Sequence, residues 1–422
     1  MHPLRRAFST LLLLAPLTTL ISSAQAQTYN PKTILFDAPP SVDTAGALHI
    51  AAIPSGVPLT KQQIEVGLQR LADTGLFSAV SYTVNPTALT IKLTPSASSQ
   101  ILPVRFANFV WWQPAELETL LEARVPGYHG QLPVAGSLTD QVEATLVSLL
   151  HEKGIDATVT ALAASNGPTA ATSLTITSPS IVIDQVNLEN ALPALKRPLQ
   201  HFADSLHTQD FDIDETTQTI HESVGDIYQN AGYLDVSTTA PTISAPRKDL
   251  LNYAVDLTST IQPGDLYAIR AFTIPPILSI PSADLEKAAN LHIGDPASAS
   301  ALRLANAELA KACSDQGYLE AKATVALSKD ASAHTVAYAF TITPGELYHF
   351  ASIDTSALPP AQQSAFAQRF HITAGAVAGG SLNSEVIRAL NDMHALKTVK
   401  FGATLDRAHH TITIVLTPSA TH

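Results

Sequence analysis

A nine-residue stretch occurs twice in this chain, as Ile261-Gln-Pro-Gly-Asp-Leu-Tyr-Ala-Ile269 and as Ile342-Thr-Pro-Gly-Glu-Leu-Tyr-His-Phe350. Each copy breaks a strand-like run with Pro-Gly, follows it with an acid, and reopens an apolar run on Leu-Tyr. Gly264 and Gly345 stand 81 positions apart, and a second pair, Gly232-Tyr-Leu-Asp and Gly317-Tyr-Leu-Glu, stands 85 apart. Two different signatures recurring at nearly one period mark a tandem array. Repeated modules of this size argue for a binding surface before they argue for a single active site.

Within one period the hydrophobic pattern changes from helical to alternating. Leu302, Ala305, Leu309 and Ala312 share a helical face that ends at Gly317. Beyond it, Leu319, Ala321, Ala323, Val325 and Leu327 alternate with polar residues, and Val336, Tyr338, Phe340 and Ile342 alternate again. The same order recurs with helix ends at Gly75, Gly154, Gly232 and Gly317, and with Ala395 in that place last. Opening strands share a three-then-two apolar spacing, at Ile183, Val186 and Leu188 and at Ile269, Phe272 and Ile274. The expected fold class is α+β: tandem βααββ modules, each a three-stranded mixed sheet packed on two helices, the smallest two-layer arrangement that buries both. The expected modules span 48–97, 98–180, 181–263, 264–344 and 345–422, the first one abbreviated. Residues 27–47, with Pro31, Pro39 and Pro40, read as a lead-in of low order.

Residues 1–26 are a separate matter. Arg5 and Arg6 precede an apolar run from Leu11 to Ile21, and Ala24-Gln25-Ala26 supplies the small-x-small pattern of a cleaved export signal. The apolar run falls short of the roughly 20 residues that span a bilayer. The expected mature chain is exported, starts at Gln27 and carries no transmembrane segment. Its formal net charge of −12 becomes more negative once Arg5 and Arg6 leave. Such a surface repels phosphate backbones, which argues against a nucleic-acid partner. Cys313 is the only cysteine, so no intramolecular disulfide can form, and each module must hold itself together by its own core.

The βααββ order, the Gly-Tyr-Leu-acid at the helix end, Gly294-Asp295 before a second helix, and the Pro-Gly-acid-Leu-Tyr joint together resemble POTRA domains. These are the polypeptide-transport-associated modules on the periplasmic side of BamA-type and TamA-type outer-membrane assembly proteins. The resemblance covers nearly all of the mature chain and is most specific in modules three and four. Proteins of that type continue into a membrane β-barrel, and this sequence reads as the periplasmic arm without it. The resemblance implies a non-enzymatic scaffold, periplasmic and peripheral to the outer membrane, whose partners are a barrel protein or extended client polypeptides. It also implies that the strand after Gly-Tyr is an exposed sheet edge, open to strand addition. That places candidate binding residues at Leu234, Asp235 and Val236, and at Leu319, Ala321, Ala323 and Val325. Neighbouring modules could equally shield these edges, and a spacer protein that binds no client is the alternative.

Other candidates carry less chemistry. Pro263, Gly264, Asp265 and Tyr267, with Pro344, Gly345, Glu346 and Tyr348, read as inter-module joints, either hinges or tight turns. Gly75, Gly154, Gly232, Tyr233, Gly317 and Tyr318 read as structural. No catalytic residue, cofactor site or metal site is expected: His151-Glu152 lacks the second histidine of a zinc-protease helix, and no nucleophile elbow or phosphate loop occurs. The acids Asp210, Asp212, Asp214 and Glu215 lack the glycine and terminal glutamate of a calcium loop and suit a helix start.

Overall fold

The computed structural model of the 422-residue chain describes residues 28–164, 170–277 and 280–419. The leader expected over 1–26 lies outside the described residues. Among the described residues no helix is long and apolar enough to cross a membrane. The chain divides into two compact units, Met1–Ser180 and Ile181–His422.

The first unit holds two modules. Its elements begin with β1 (Thr28–Tyr29), β2 (Thr33–Asp37), α1 (Thr44–Ala51), β3 (Leu59–Thr60), α2 (Lys61–Asp73), β4 (Phe77–Val84) and β5 (Ala88–Pro95). β2 runs parallel to β5, and β4 runs antiparallel on the other side, giving the order β2-β5-β4. Here the sequence expectation is corrected. Residues 28–47 are not a low-order lead-in but supply the opening strand and the first half of the first helix, so the first module is complete. α1, capped by the Asp43 carboxylate accepting from the Gly46 amide at 2.9 Å, has only eight residues, too few to show a helical period. Thr60 and Gln63 form a capping box at the start of α2. The second module follows as β6 (Ile101–Phe106), α3 (Pro114–Arg124), β7 (Gln131–Pro133), α4 (Ser137–Glu152), β8 (Thr158–Ala164) and β9 (Ala171–Ser178), in the sheet order β7-β6-β9-β8. Its opening strand stops at Phe106. Phe109 packs edge-on to Phe106 at 5.6 Å from beyond the strand end.

The second unit opens with β10 (Ile181–Glu189), α5 (Lys196–Ser205), α6 (Ile213–Asn230), β11 (Ser237–Thr238), β12 (Thr242–Ile243), β13 (Arg247–Asp249) and β14 (Asn252–Gln262). β14 pairs parallel with β10, and the three short strands pair antiparallel along its other side. Next come β15 (Ala268–Thr273), α7 (Ser282–Ala289), α8 (Ala299–Ser314), β16 (Lys322–Asp330) and β17 (Thr335–Thr343), ordered β15-β17-β16. Last come β18 (His349–Asp354), α9 (Pro360–Ala367), α10 (Gly380–Asp392), β19 (Val399–Asp406) and β20 (Thr411–Pro418), ordered β18-β20-β19. In each of these sheets the closing strand is central and the opening strand lies parallel to it, as a crossover through two helices requires.

The three-then-two spacing has a physical cause. The parallel register slips between Ile183 and Gln185, between Ile269 and Ala271, and between Phe350 and Ser352. A bulge inserts one residue, so the next inward side chain arrives after three positions instead of two. One core of the second unit joins Ile269, Leu285, Leu309, Cys313 and Phe340, all buried. Burial there raises the Cys313 thiol above its ordinary pKa, which makes it a packing residue.

Candidate functional site: sheet edges and module joints

The long sheet edges come from the strand that follows the second helix. β16 pairs with β17 over nine consecutive residues without a register shift, from Lys322 opposite Thr343 to Asp330 opposite Thr335. Among the described residues nothing pairs on its other side. β19 forms an equally unshifted edge from Val399 to Asp406, while β4 carries a bulge between Phe77 and Ala79. Ala323 and Val325 lie on β16 opposite Ile342 and Phe340, half-buried on its core face.

The remaining edge candidates are corrected. Leu319 and Ala321 precede β16 in a turn; Leu319 packs on the core of the last module and Ala321 on that of its own. Leu234, Asp235 and Val236 also lie in a turn, and the strand after them is only the two residues of β11. Pro241 and Pro246 break that edge into three pieces, because proline offers no N–H to a ladder.

What the Gly-Tyr-Leu-acid turns do instead is join modules. Tyr267 is 1% exposed; its amide donates to the Gly232 carbonyl at 2.9 Å, and its phenol donates to Asp235 at 2.8 Å. The other Asp235 oxygen accepts from the Lys329 ammonium near the end of β16, which also lies 5.2 Å over the Tyr267 ring. His334 stacks edge-on to Tyr267 at 6.1 Å and lies 3.3 Å from Asp265. The next joint repeats the hydrogen bonds and the histidine contact. The Tyr348 amide donates to Gly317 at 2.9 Å, its phenol donates to Glu320 at 2.8 Å, and Arg407 donates to Glu320 at 2.7 Å. His410 lies 5.9 Å from the Tyr348 ring and 4.0 Å from Glu346. The Lys329 ammonium, and then the Tyr267 phenol, hold the Asp235 carboxyl below the usual carboxylate range. Arg407, and then Tyr348, do the same for Glu320.

Pro263, Gly264 and Asp265, like Pro344, Gly345 and Glu346, form the turns that deliver each tyrosine. Gly264 and Gly345 take φ of 71° and 76° there. Tyr233 and Tyr318 close the helix ends, their amides donating to Tyr228 and Cys313. Lys329, Arg407, His334 and His410 were not anticipated. One signal for the histidines stood in the sequence: His334-Thr335-Val336 and His410-Thr411-Ile412 open two closing strands alike. The acids around Asp212 resolve as a helix cap, with the Asp212 carboxylate accepting from the Asp214 and Glu215 amides. Among the described residues no group of three His, Cys, Asp or Glu is placed to hold a metal ion.

No protein-family model matches the chain, and no curated protein matches it. Solved structures do. POTRA modules 3 to 5 of BamA from Haemophilus influenzae match at 16% identity and a TM-score of 0.42, over 58% of this chain and 98% of that one. The N-terminal domain of Omp85 from Thermosynechococcus elongatus matches at 15% identity and a TM-score of 0.26, over 57% of this chain and 97% of that one. POTRA modules 1 to 3 of Omp85 from Anabaena match at 14% identity and a TM-score of 0.26, over 57% and 96%. The chain is similar to the POTRA arrays of BamA and Omp85 proteins.

Proposed function

We propose that this chain is a non-enzymatic periplasmic scaffold that assists outer-membrane protein assembly or transport by adding an extended strand of a client or barrel partner to a sheet edge. The observation that carries this reading is β16. Its nine residues present a regular row of unpaired N–H and C=O groups, and charge is confined to Lys322, Lys329 and Asp330 at its ends. Edges that must stay free of partners are normally shortened, bulged or charged along their length. Backbone pairing along such an edge supplies affinity with little demand on client sequence.

The test is affinity capture of the tagged mature chain from its own cells after mild crosslinking, with Ala323→Pro and Thr324→Pro as paired variants. Along an antiparallel edge strand successive N–H groups alternate between partner and solvent, so one variant breaks the β17 ladder and the other only the open side. The expected result is recovery of an outer-membrane barrel or its unfolded precursor, lost in the variant that keeps its thermal stability. Recovery of the bare chain with no envelope protein sinks the reading. A spacer without clients is then favoured, and the doubly repeated tyrosine joint is the observation behind that second reading.

A further inference from the structure

Inside the first unit a cavity of about 260 Å³ opens between the first two sheets. Val42, Ala47 and Ile50 from the α1 side, Leu76 and Phe77 at the start of β4, and Ile101 at the start of β6 give it apolar walls. Polar groups join them: Asp43 and His129, whose Oδ2 and Nε2 lie 3.2 Å apart, and Gln131 on β7. The Gly46 amide, and with it His129, keeps the Asp43 carboxyl below the ordinary range, so it is ionised at neutral pH. No lysine or arginine is among the residues that line the cavity. Phe77 is also where β4 begins, at the bulge between Phe77 and Ala79.

We infer that this cavity anchors an extended peptide that carries one large apolar side chain beside a lysine or arginine. The apolar side chain enters the cavity, the cation faces Asp43, and the flanking backbone follows β4. The volume lies below the ~300–1,000 Å³ of sites that enclose drug-sized ligands, and suits a single side chain. Past the bulge, β4 pairs with β5 without a shift from Ala79 to Val84 and among the described residues nothing pairs on its other side, which makes the bearer of that side chain an extended chain. This last element rests on the strand-addition reading; the cavity and its carboxylate do not.

The probe is a short fluorescein-labelled peptide of alternating threonine and serine ending in phenylalanine-lysine, titrated with the mature chain and followed by anisotropy. Burying a phenylalanine strengthens binding roughly tenfold to a hundredfold, so the peptide's Phe→Ala form and the protein's Ser41→Trp, which plugs the rim from an exposed position, each weaken it by that much. Asp43→Asn keeps the helix cap but removes the charge. It weakens the lysine peptide by only about threefold at low salt, and a glutamine peptide not at all, because the ion pair is exposed. No binding by the wild-type chain, or equal binding by wild type, Ser41→Trp and Asp43→Asn, overturns the inference. A peptide N-methylated along its backbone separates the two ideas. If it binds as well as the parent while Ser41→Trp still abolishes binding, the cavity stands and strand addition along β4 falls.

Discussion

The Tyr267 phenol and the Asp235 carboxylate meet at 2.8 Å across a module joint, and Tyr348 and Glu320 meet at the same distance across the next. In both places the acid is also held by a cation from the following module's hairpin, Lys329 or Arg407. A joint built this way should resist swivelling, since the phenol, the acid and the cation must all part together. Tyr267→Phe removes the phenol bond and leaves the ring buried. The expected outcome is about tenfold faster hydrogen exchange at the residue 267 amide, with amides in the centres of β14 and β17 unchanged. Uniform acceleration across both sheets, or none anywhere, refutes a local clasp.

The same acids contribute to the response to low pH. Asp235 and Glu320 sit below their ordinary values, and Arg388, with His371, lowers Glu385 to about 2. A carboxyl whose folded pKa is depressed binds fewer protons folded than unfolded, so its stabilisation is complete above the unfolded value and lost as pH falls through the folded one. The urea midpoint of the second unit should therefore be flat from these groups at neutral pH and fall between about pH 4.5 and pH 2. Glu385→Gln should lower the midpoint at pH 7 and make the acid decline shallower. A decline unchanged in Glu385→Gln would assign acid sensitivity to other groups.

Much of this architecture was legible from periodicity. Residues 299–314 read as a helix because Ala305 and Leu309 bury one face, and residues 335–343 read as a strand because Val336, Tyr338, Phe340 and Ile342 alternate inward. Periodicity failed where elements are short or are set by tertiary pairing. β2 has five residues and owes its existence to β5, so nothing local distinguishes it from a Pro-flanked lead-in. The turn holding Leu234 to Val236 looks strand-like because Leu234 packs on the next module's core, which serves the joint and not a ladder. The cations of the joints were invisible for a related reason. Lys329 and Arg407 reach their acids from 94 and 87 residues away, and no short-range pattern marks a pairing at that distance.

Ala395 was expected to take the place of the helix-ending glycine in the last module, but the left-handed position belongs to His394, with φ of 55°. The Ala395 amide then donates to Leu390, as the Tyr318 amide does to Cys313 after Gly317. A side chain in that conformation costs about 1 kcal/mol that glycine avoids. His394 is exposed and contributes no core packing. His394→Gly should raise the stability of the last module by about 1 kcal/mol in urea titration, and His394→Ala should not.

Gly317 is where space and conformation can be separated. Its φ is 96°, and Gly294 in the same module has φ of 95°. A Cβ on Gly294 meets nothing within 4 Å, whereas one on Gly317 would collide with Val377 and stand 2.9 Å from Leu347. Gly294→Ala therefore carries only the conformational cost, about 1 kcal/mol. Gly317→Ala adds a close contact with two side-chain ends of the following module, the exposed Val377 and the half-buried Leu347, which can give way, for a total of about 1–2 kcal/mol. The excess falls on the joint, because Val377 and Leu347 flank Tyr348, the residue whose amide closes on Gly317. Unfolding titrations of the two variants should differ by up to about 1 kcal/mol, with Gly317→Ala also loosening the Tyr348 amide in hydrogen exchange. Equal losses in both would mean that the glycine is held by backbone conformation alone and that the close approach of the two modules is soft.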